Sequence, residues 1–280
     1  MTIFRSAGQG FKLTFKLFPA VLFYLVGYSA VGALATVLLP YEIVNNQARV
    51  PRPSSMGQAL SELVIGLALY LPTLFFSLYL LGGTLAASLK LAGGEPVPME
   101  EFHRQAKRWF GAILRWGFAV FGTALAAGLT ATFVMAFLWA VTGRSAGMKG
   151  LIGVGFWGAL LAVGLVLVYS PVILIEQGRG IKEAFKESNR FFNAHRGATF
   201  GFILWLSFIG SLLWLAWAIG VAPVVGRVRV MGGLPPFPKG LPNFFFSLVL
   251  GLPSAFLSVY FPLALGIFYR GRNGDTGTGA

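Results

Sequence analysis

The chain has 280 residues, of which 56% are hydrophobic and only 11% charged, and its mean hydropathy is +0.74. Soluble domains carry roughly 25% charged residues, so a water-facing globule is excluded. The net charge of +13, from 22 Lys and Arg against nine Asp and Glu, points in so apolar a chain to anionic lipid headgroups rather than nucleic acid.

Apolar runs of about 20 residues recur, the length that crosses a hydrocarbon core roughly 30 Å thick. The alternating ten-residue segments of a membrane barrel are absent. The expected fold class is therefore all-α, a polytopic membrane protein. The chain has no cysteine, which excludes disulfides, thiol catalysis and thiolate metal sites.

Residues 1–18 mix Phe4, Phe11, Phe15 and Phe18 with Arg5, Lys12 and Lys16, the composition of a short helix at the membrane surface. With no small-residue cleavage site close behind, this segment is expected to be retained. The first span is predicted at 19–39, between Pro19 and Pro40. A polar stretch at 41–58 follows, in which Pro51 and Pro53 oppose helix, and the second span is predicted at 62–87.

Residues 97–110 open with Pro98, Glu100 and Glu101 and then turn basic, matching the helix dipole. Phe102, Ala106, Trp109 and Phe110 fall on one face, so a second amphipathic surface helix is expected. Span three is predicted at 112–142, a loop at 143–149, and span four at 150–175. A third surface helix at 181–194 sets Ile181, Phe185 and Phe192 against Lys182, Lys186 and Arg190. Span five is predicted at 198–221, a Pro/Gly-rich loop at 222–242, span six at 244–269, and a flexible tail at 271–280.

Two patterns recur in register. Tyr70-Leu71-Pro72, Tyr169-Ser170-Pro171 and Tyr260-Phe261-Pro262 lie 99 and 91 residues apart, each in the second span of a pair. Each surface helix ends on base, bulky apolar, Phe, helix-breaker and Ala: Lys16-Leu17-Phe18-Pro19-Ala20, Arg108-Trp109-Phe110-Gly111-Ala112 and Arg190-Phe191-Phe192-Asn193-Ala194. The bases suit the headgroups and the aromatics the interface, while the breaker turns the chain from lying on the membrane to crossing it. The expected architecture is three copies of a surface helix plus a two-span hairpin, at 1–92, 97–175 and 181–270.

The N-terminus, the 88–116 and 176–197 loops and the C-terminus hold 15 Lys and Arg, against seven on the opposite side. The positive-inside rule then expects both termini and all three surface helices in the cytoplasm.

Candidate chemistry is sparse. His103 and His195 lie among bases and read as solvated interfacial residues, since a metal site needs further ligands close by. Glu62 is the one acid that falls within a predicted span; it reads either as an intramembrane site or, preferably, as a first-turn acid, with Gln58 and Arg52 in reach as partners. No catalytic triad, HExxH or phosphate loop is present, so no enzyme, metal or cofactor is expected. Each Tyr-x-Pro proline frees a carbonyl four residues earlier, at Ala68, Leu167 and Ser258, which a nearby tyrosine hydroxyl, a neighbouring helix or water must satisfy. Three kinks about a common axis would line a cavity; the alternative is that they only shape packing.

The stretch from Pro171 to Phe192 resembles a family of bacterial six-helix membrane proteins that includes the membrane domain fused to some glycerophosphodiester phosphodiesterases. The resemblance rests on Glu176, Gly178, Glu183-Ala184, Lys186, Ser188 and Phe191. It implies six spans in a bacterial inner membrane, with no assigned activity, and this chain has no room for the phosphodiesterase domain. Mitochondrial-type carriers also triplicate a two-span unit, but their prolines sit in the first span of each pair and are followed by charges, which differs from the pattern here. The leading expectation is a non-enzymatic scaffold or accessory subunit that meets anionic lipid and protein partners in the membrane. The alternative is a transporter or lipid-handling permease that uses the kinked helices.

Overall fold

The computed structural model describes residues 3–38, 42–44, 47–49, 55–141, 146–231 and 240–276. Six of its helices are long and apolar enough to cross a membrane: Phe18–Leu38, Met56–Ala92, Met99–Val141, Gly153–Gln177, Arg196–Arg227 and Leu252–Asn273. The protein is a multi-pass, helical membrane protein. Its strands among the described residues are a short antiparallel ribbon, β1 (Glu42–Val44) with β2 (Gln47–Arg49), in which Ile43 pairs with Ala48.

The elements follow from local chemistry. Helix α1 (Ile3–Lys16) presents Ser6, Ala7, Gly10 and Thr14 as its buried face and ends at Leu17. Pro19 then sits in the first turn of α2 (Phe18–Leu38), where its missing N–H costs no bond. The Ser55 side chain caps α3 (Met56–Ala92) by accepting from Gln58 N at 3.2 Å, and Gly94 at φ +85° ends it. Pro72 does not interrupt α3. Beside it, Thr73 Oγ1 donates to Leu69 O at 2.9 Å and Ser77 Oγ to Thr73 O at 2.8 Å, second bonds on carbonyls other than Ala68 O, the one that Pro72 frees.

The chain departs from the sequence expectation at several joints. The predicted second surface helix and span three form one helix, α4 (Met99–Val141). Gly111 lies inside it, because an internal glycine costs only about 1 kcal/mol of helix propensity whereas a proline removes a bond and clashes. At 43 residues and 1.5 Å per residue, α4 is roughly 65 Å long, so its amphipathic start projects beyond the apolar layer in line with the span. Helices α5 (Ala146–Leu167) and α6 (Ser170–Gln177) make up the fourth span, with a turn at Val168-Tyr169 that puts Pro171 in the first turn of α6. Gly178, at φ +62°, ends α6.

Helix α7 (Ile181–Ala194) runs through Asn193 and breaks at His195 before α8 (Arg196–Gly220). Its buried residues are Ala184, Ser188 and Phe191, so the inward face is rotated from the expected Ile181/Phe185/Phe192 stripe. The expected loop after span five includes a further helix, α9 (Ala222–Met231). Span six is divided at Gly251 into α10 (Leu241–Leu250) and α11 (Leu252–Thr276), so Gly271–Thr276 are helical rather than part of a flexible tail. Of the loop expected at 143–149, residues 146–149 are already helical in α5, while 143–145 and the proline-rich 232–239 stretch lie outside the described residues.

The core gathers on α11. Of its apolar window 67% is buried, against 6% for the windows of α3 and α4. Helix α1 runs along α11, with Gly10 against Ala264, Phe11 on Tyr260 and Phe15 on Phe256, rather than lying free on a surface. Lipid removes the hydrophobic drive between helices, so close approach through small residues carries the packing. A Cβ on Gly10 would stand 2.8 Å from Ala264 Cβ, and one on Gly83 would stand 2.8 Å from the Phe102 ring. The buried stretches Leu80–Leu89 of α3, Ser170–Ile175 of α6 and Ala255–Tyr269 of α11 converge at the end of the bundle that also receives α1, the start of α4 and α7. Because it also carries most of the Lys and Arg, it is called the basic end below.

Candidate functional site

The three Tyr-x-Pro tripeptides are not equivalent in space. Tyr169 and Tyr260 are fully buried, whereas Tyr70 is 62% exposed. Tyr169 packs on Phe191 at 4.6 Å and donates its hydroxyl to Thr199 Oγ1 at 3.0 Å. Tyr260 packs among Phe11, Phe256 and Phe261. Neither tyrosine serves the carbonyl that its proline frees. Leu167 O accepts instead from Ser170 Oγ at 2.5 Å, the middle residue of Tyr-Ser-Pro, and the neighbouring Val166 O accepts from Ser188 Oγ at 2.6 Å.

Pro171 and Pro262 line one cavity of about 620 Å³; Pro72 does not. Its floor comes from Leu81 and Leu85 of α3, Pro171 of α6, and Phe261, Pro262 and Leu265 of α11. One wall is Leu161, Gly164, Leu165 and Val168, which recur every three to four residues along α5 and its end; the other is Phe200, Ile203, Leu204 and Ser207 along α8. Leu161, Phe200 and Leu204 are exposed, so the cavity opens sideways between α5 and α8, toward the surroundings of the bundle. A Cβ on Gly164 would meet nothing within 4 Å, which marks open space against that wall. The volume lies within the roughly 300–1,000 Å³ usual for small-ligand sites. Ser207 alone brings a side-chain hydroxyl to the lining, and no lining residue carries a charge. Such a surface suits hydrocarbon, because it offers a polar solute nothing to replace its hydration.

At the basic end, where the start of α4 meets the end of α3, lies a polar cluster that the sequence pattern did not reveal. Glu101 is buried and accepts from Lys90 Nζ at 2.6 Å and Gln105 Nε2 at 2.7 Å, and it also pairs with Arg104. Arg270 donates to Leu89 O. Glu100 and Glu101 looked alike as first-turn acids, and only the approach of the end of α3 distinguishes them. With three donors on one carboxylate the cluster is satisfied internally, as a buried charge must be.

The other sequence candidates disperse. Lys16, Arg108 and Arg190 are exposed, with Arg108 over the Trp109 ring at 5.4 Å. Phe18 is exposed, and Phe110 and Phe192 are half-buried. Phe191 is a core residue rather than an interfacial one, because it lies seven positions from Ala184 on the buried face of α7. The histidines are not simply solvated: His103 Nδ1 lies 3.0 Å from Tyr79 Oη, and His195 Nδ1 lies 3.1 Å from Phe191 O. Glu62 accepts from Gln58 Nε2 at 2.8 Å and stands beyond the first turn of α3, not within it; Arg52 lies outside the described residues. No three His, Asp or Glu side chains cluster for a metal among the described residues. No protein-family model, curated protein or solved structure matches the chain.

Proposed function

We propose that this chain is a non-enzymatic, lipid-handling protein of a bacterial inner membrane, which takes an acyl chain from the bilayer into the cavity between α5 and α8. The observation that carries this reading is an uncharged, side-opening cavity of about 620 Å³ reached directly from the membrane side of the bundle. The test is photocrosslinking with a phospholipid carrying a photoactivatable acyl chain, followed by peptide mapping. Labels are expected within 161–171 and 200–207. Gly164→Phe, which grows into open space, is expected to remove most of that labelling while the chain still elutes as a folded species. Labelling spread evenly over all the spans would overturn the reading.

A scaffold role is a second reading, supported by the exposed aromatic and aliphatic side chains far from the basic end, among them Phe121, Phe133, Phe137 and Trp157. Stoichiometric co-purification of further membrane subunits in mild detergent would favour it. The excess of bases at one end supports a cytoplasmic basic end with cytoplasmic termini. Single cysteines at Lys182 and at the exposed Met231 test this, because the chain has no thiol of its own. They should react from opposite sides; reaction from one side would refute the topology.

The threefold repeat also belongs to this reading, with one change of register. Tyr79 on α3 meets His103 of α4, and Tyr260 on α11 meets Phe11 of α1; His103 and Phe11 each stand five residues before the base that ends the amphipathic segment. Counting two residues on from Tyr79, Tyr169 and Tyr260 reaches Leu81, Pro171 and Pro262, and all three line the cavity. The first unit is thus aligned on Tyr79-Leu80-Leu81, and Tyr70-Leu71-Pro72 is an incidental match. Each amphipathic segment then leans on the second span of the preceding unit: α1 on α11, the start of α4 on α3, and α7 on α5 and α6.

A further inference from the structure

The cavity has a definite place along the bundle. On α8 its wall runs from Phe200 to Ser207 and on α5 from Leu161 to Val168, each about 10 Å of helix at 1.5 Å per residue. Half of a roughly 30 Å hydrocarbon core is about 15 Å, so the cavity occupies most of the depth of one leaflet. That leaflet is the one at the basic end, because α8 starts only four residues before Phe200.

At that start stands Arg196, one helical turn from Phe200 on the same side of α8 and therefore over the end of the cavity nearest the headgroups. Arg196 is exposed, and its Nε and one terminal nitrogen both bond to the Asn193 amide oxygen, at 3.0 and 2.6 Å. That acceptor is neutral. The ion pairs identified among the described residues are Lys90–Glu101 and Arg104–Glu101, so the Arg196 charge is not spent on a carboxylate. Asn193 holds the guanidinium at the start of α8, one turn before Phe200, without neutralising it, which suits a phosphate more than any uncharged group.

We infer that the occupant of the cavity is an anionic phospholipid, with one acyl chain against α5 and α8 and its phosphate on the Arg196 guanidinium, and that Arg196 selects the headgroup. The inference rests on the lipid-handling reading above, and it adds which lipid and which residue discriminates. An uncharged cavity alone cannot tell one phospholipid from another, since their chains are alike; discrimination must come from the rim. Arg190 is also exposed and basic, but it sits on α7 away from the line of α8 that leads into the cavity, so it serves as the control.

The experiment uses the full chain in nanodiscs and compares photoactivatable-chain phosphatidylglycerol with phosphatidylcholine. The expected result is labelling of 161–171 and 200–207 by both lipids, with about a fivefold preference for phosphatidylglycerol, the factor that one basic group contributes at a membrane surface. Arg196→Gln should leave the labelled segments unchanged and bring the two lipids to parity, while Arg190→Gln should keep the preference. Equal labelling of the cavity by both lipids in the unmodified chain would overturn the headgroup inference and leave the lipid-handling reading standing. Loss of preference in Arg190→Gln as much as in Arg196→Gln would also overturn it, as diffuse surface attraction. No labelling of either segment by either lipid would remove the lipid-handling reading itself.

Discussion

The two ends of α3 lie in different environments although they read alike as sequence. From Leu80 to Leu89 every residue but Leu81 is buried, against α11, α6 and the start of α4. From Leu60 to Leu71 the same helix exposes Leu60, Leu63, Val64, Leu67, Tyr70 and Leu71. The other spans follow suit: α4 is buried at Phe102, Ala106 and Ile113 but exposes Phe121, Phe133 and Phe137. The molecule is a packed half at the basic end joined to a splayed half beyond it, and the cavity sits in the packed half, between α5 and α8. Hydropathy does not distinguish the two halves, since lipid and protein interior are equally apolar; small residues and satisfied polar groups do.

The largest expected contrast is between the two glutamates near the ends of α3. Glu101 holds Lys90, Arg104 and Gln105, so Glu101→Ala strands donors in a closed setting and should lower stability by about 3 kcal/mol, the low end for breaking a buried pair because Lys90 is partly exposed. Glu62 bonds to Gln58 on its own helix, and Glu62→Ala should cost about 0.5 kcal/mol or less. SDS-titrated unfolding of both variants measures the difference. Equal effects would mean that the basic end is not the more tightly held half.

A second pair tests packing along the same helix. Gly83→Leu drives a side chain into Phe102 and Ala106 and should cost about 1–3 kcal/mol by overpacking. Gly66→Leu meets nothing within 4 Å and should leave stability unchanged or raise it by up to about 1 kcal/mol through helix propensity. Thermal melting in detergent reads both. If Gly66→Leu proves the more damaging, the splayed half is closed in the membrane by contacts that the bundle alone does not make.

How much of this was legible in the sequence depends on which force set each feature. Six spans were legible because length and apolarity are local properties. The amphipathic segments were legible too, but not how each joins its span: Pro19 breaks the helix by removing a donor, while Gly111 merely weakens it, and the motif treated them alike. The Glu101 cluster was hidden because Lys90 reaches it from another helix. The cavity was half visible, since Pro171 and Pro262 were marked by their tripeptides. Its third floor position, Leu81, follows a tyrosine without a proline, and only its place beside the other two singles it out.

That register leads to the smallest contrast, between two tyrosines nine residues apart on α3. Tyr79 Oη lies 3.0 Å from His103 Nδ1 and 3.3 Å from His103 O, joining α3 to α4, whereas Tyr70 is 62% exposed beside Leu74 and Phe118. Tyr79→Phe should therefore cost about 1 kcal/mol, the usual net value of one hydrogen bond, and Tyr70→Phe about zero. His103→Phe removes Nδ1 but leaves His103 O as an acceptor, so it should cost less than Tyr79→Phe in the unmodified chain and almost nothing further once Tyr79→Phe is present. A double-mutant cycle separates this from two independent losses. Additive effects would place the hydroxyl outside the α3–α4 contact and would weaken the case for Tyr79 as the counterpart of Tyr169 and Tyr260. A large effect of Tyr70→Phe with none from Tyr79→Phe would restore Tyr70-Leu71-Pro72 as the true register mark of the first unit.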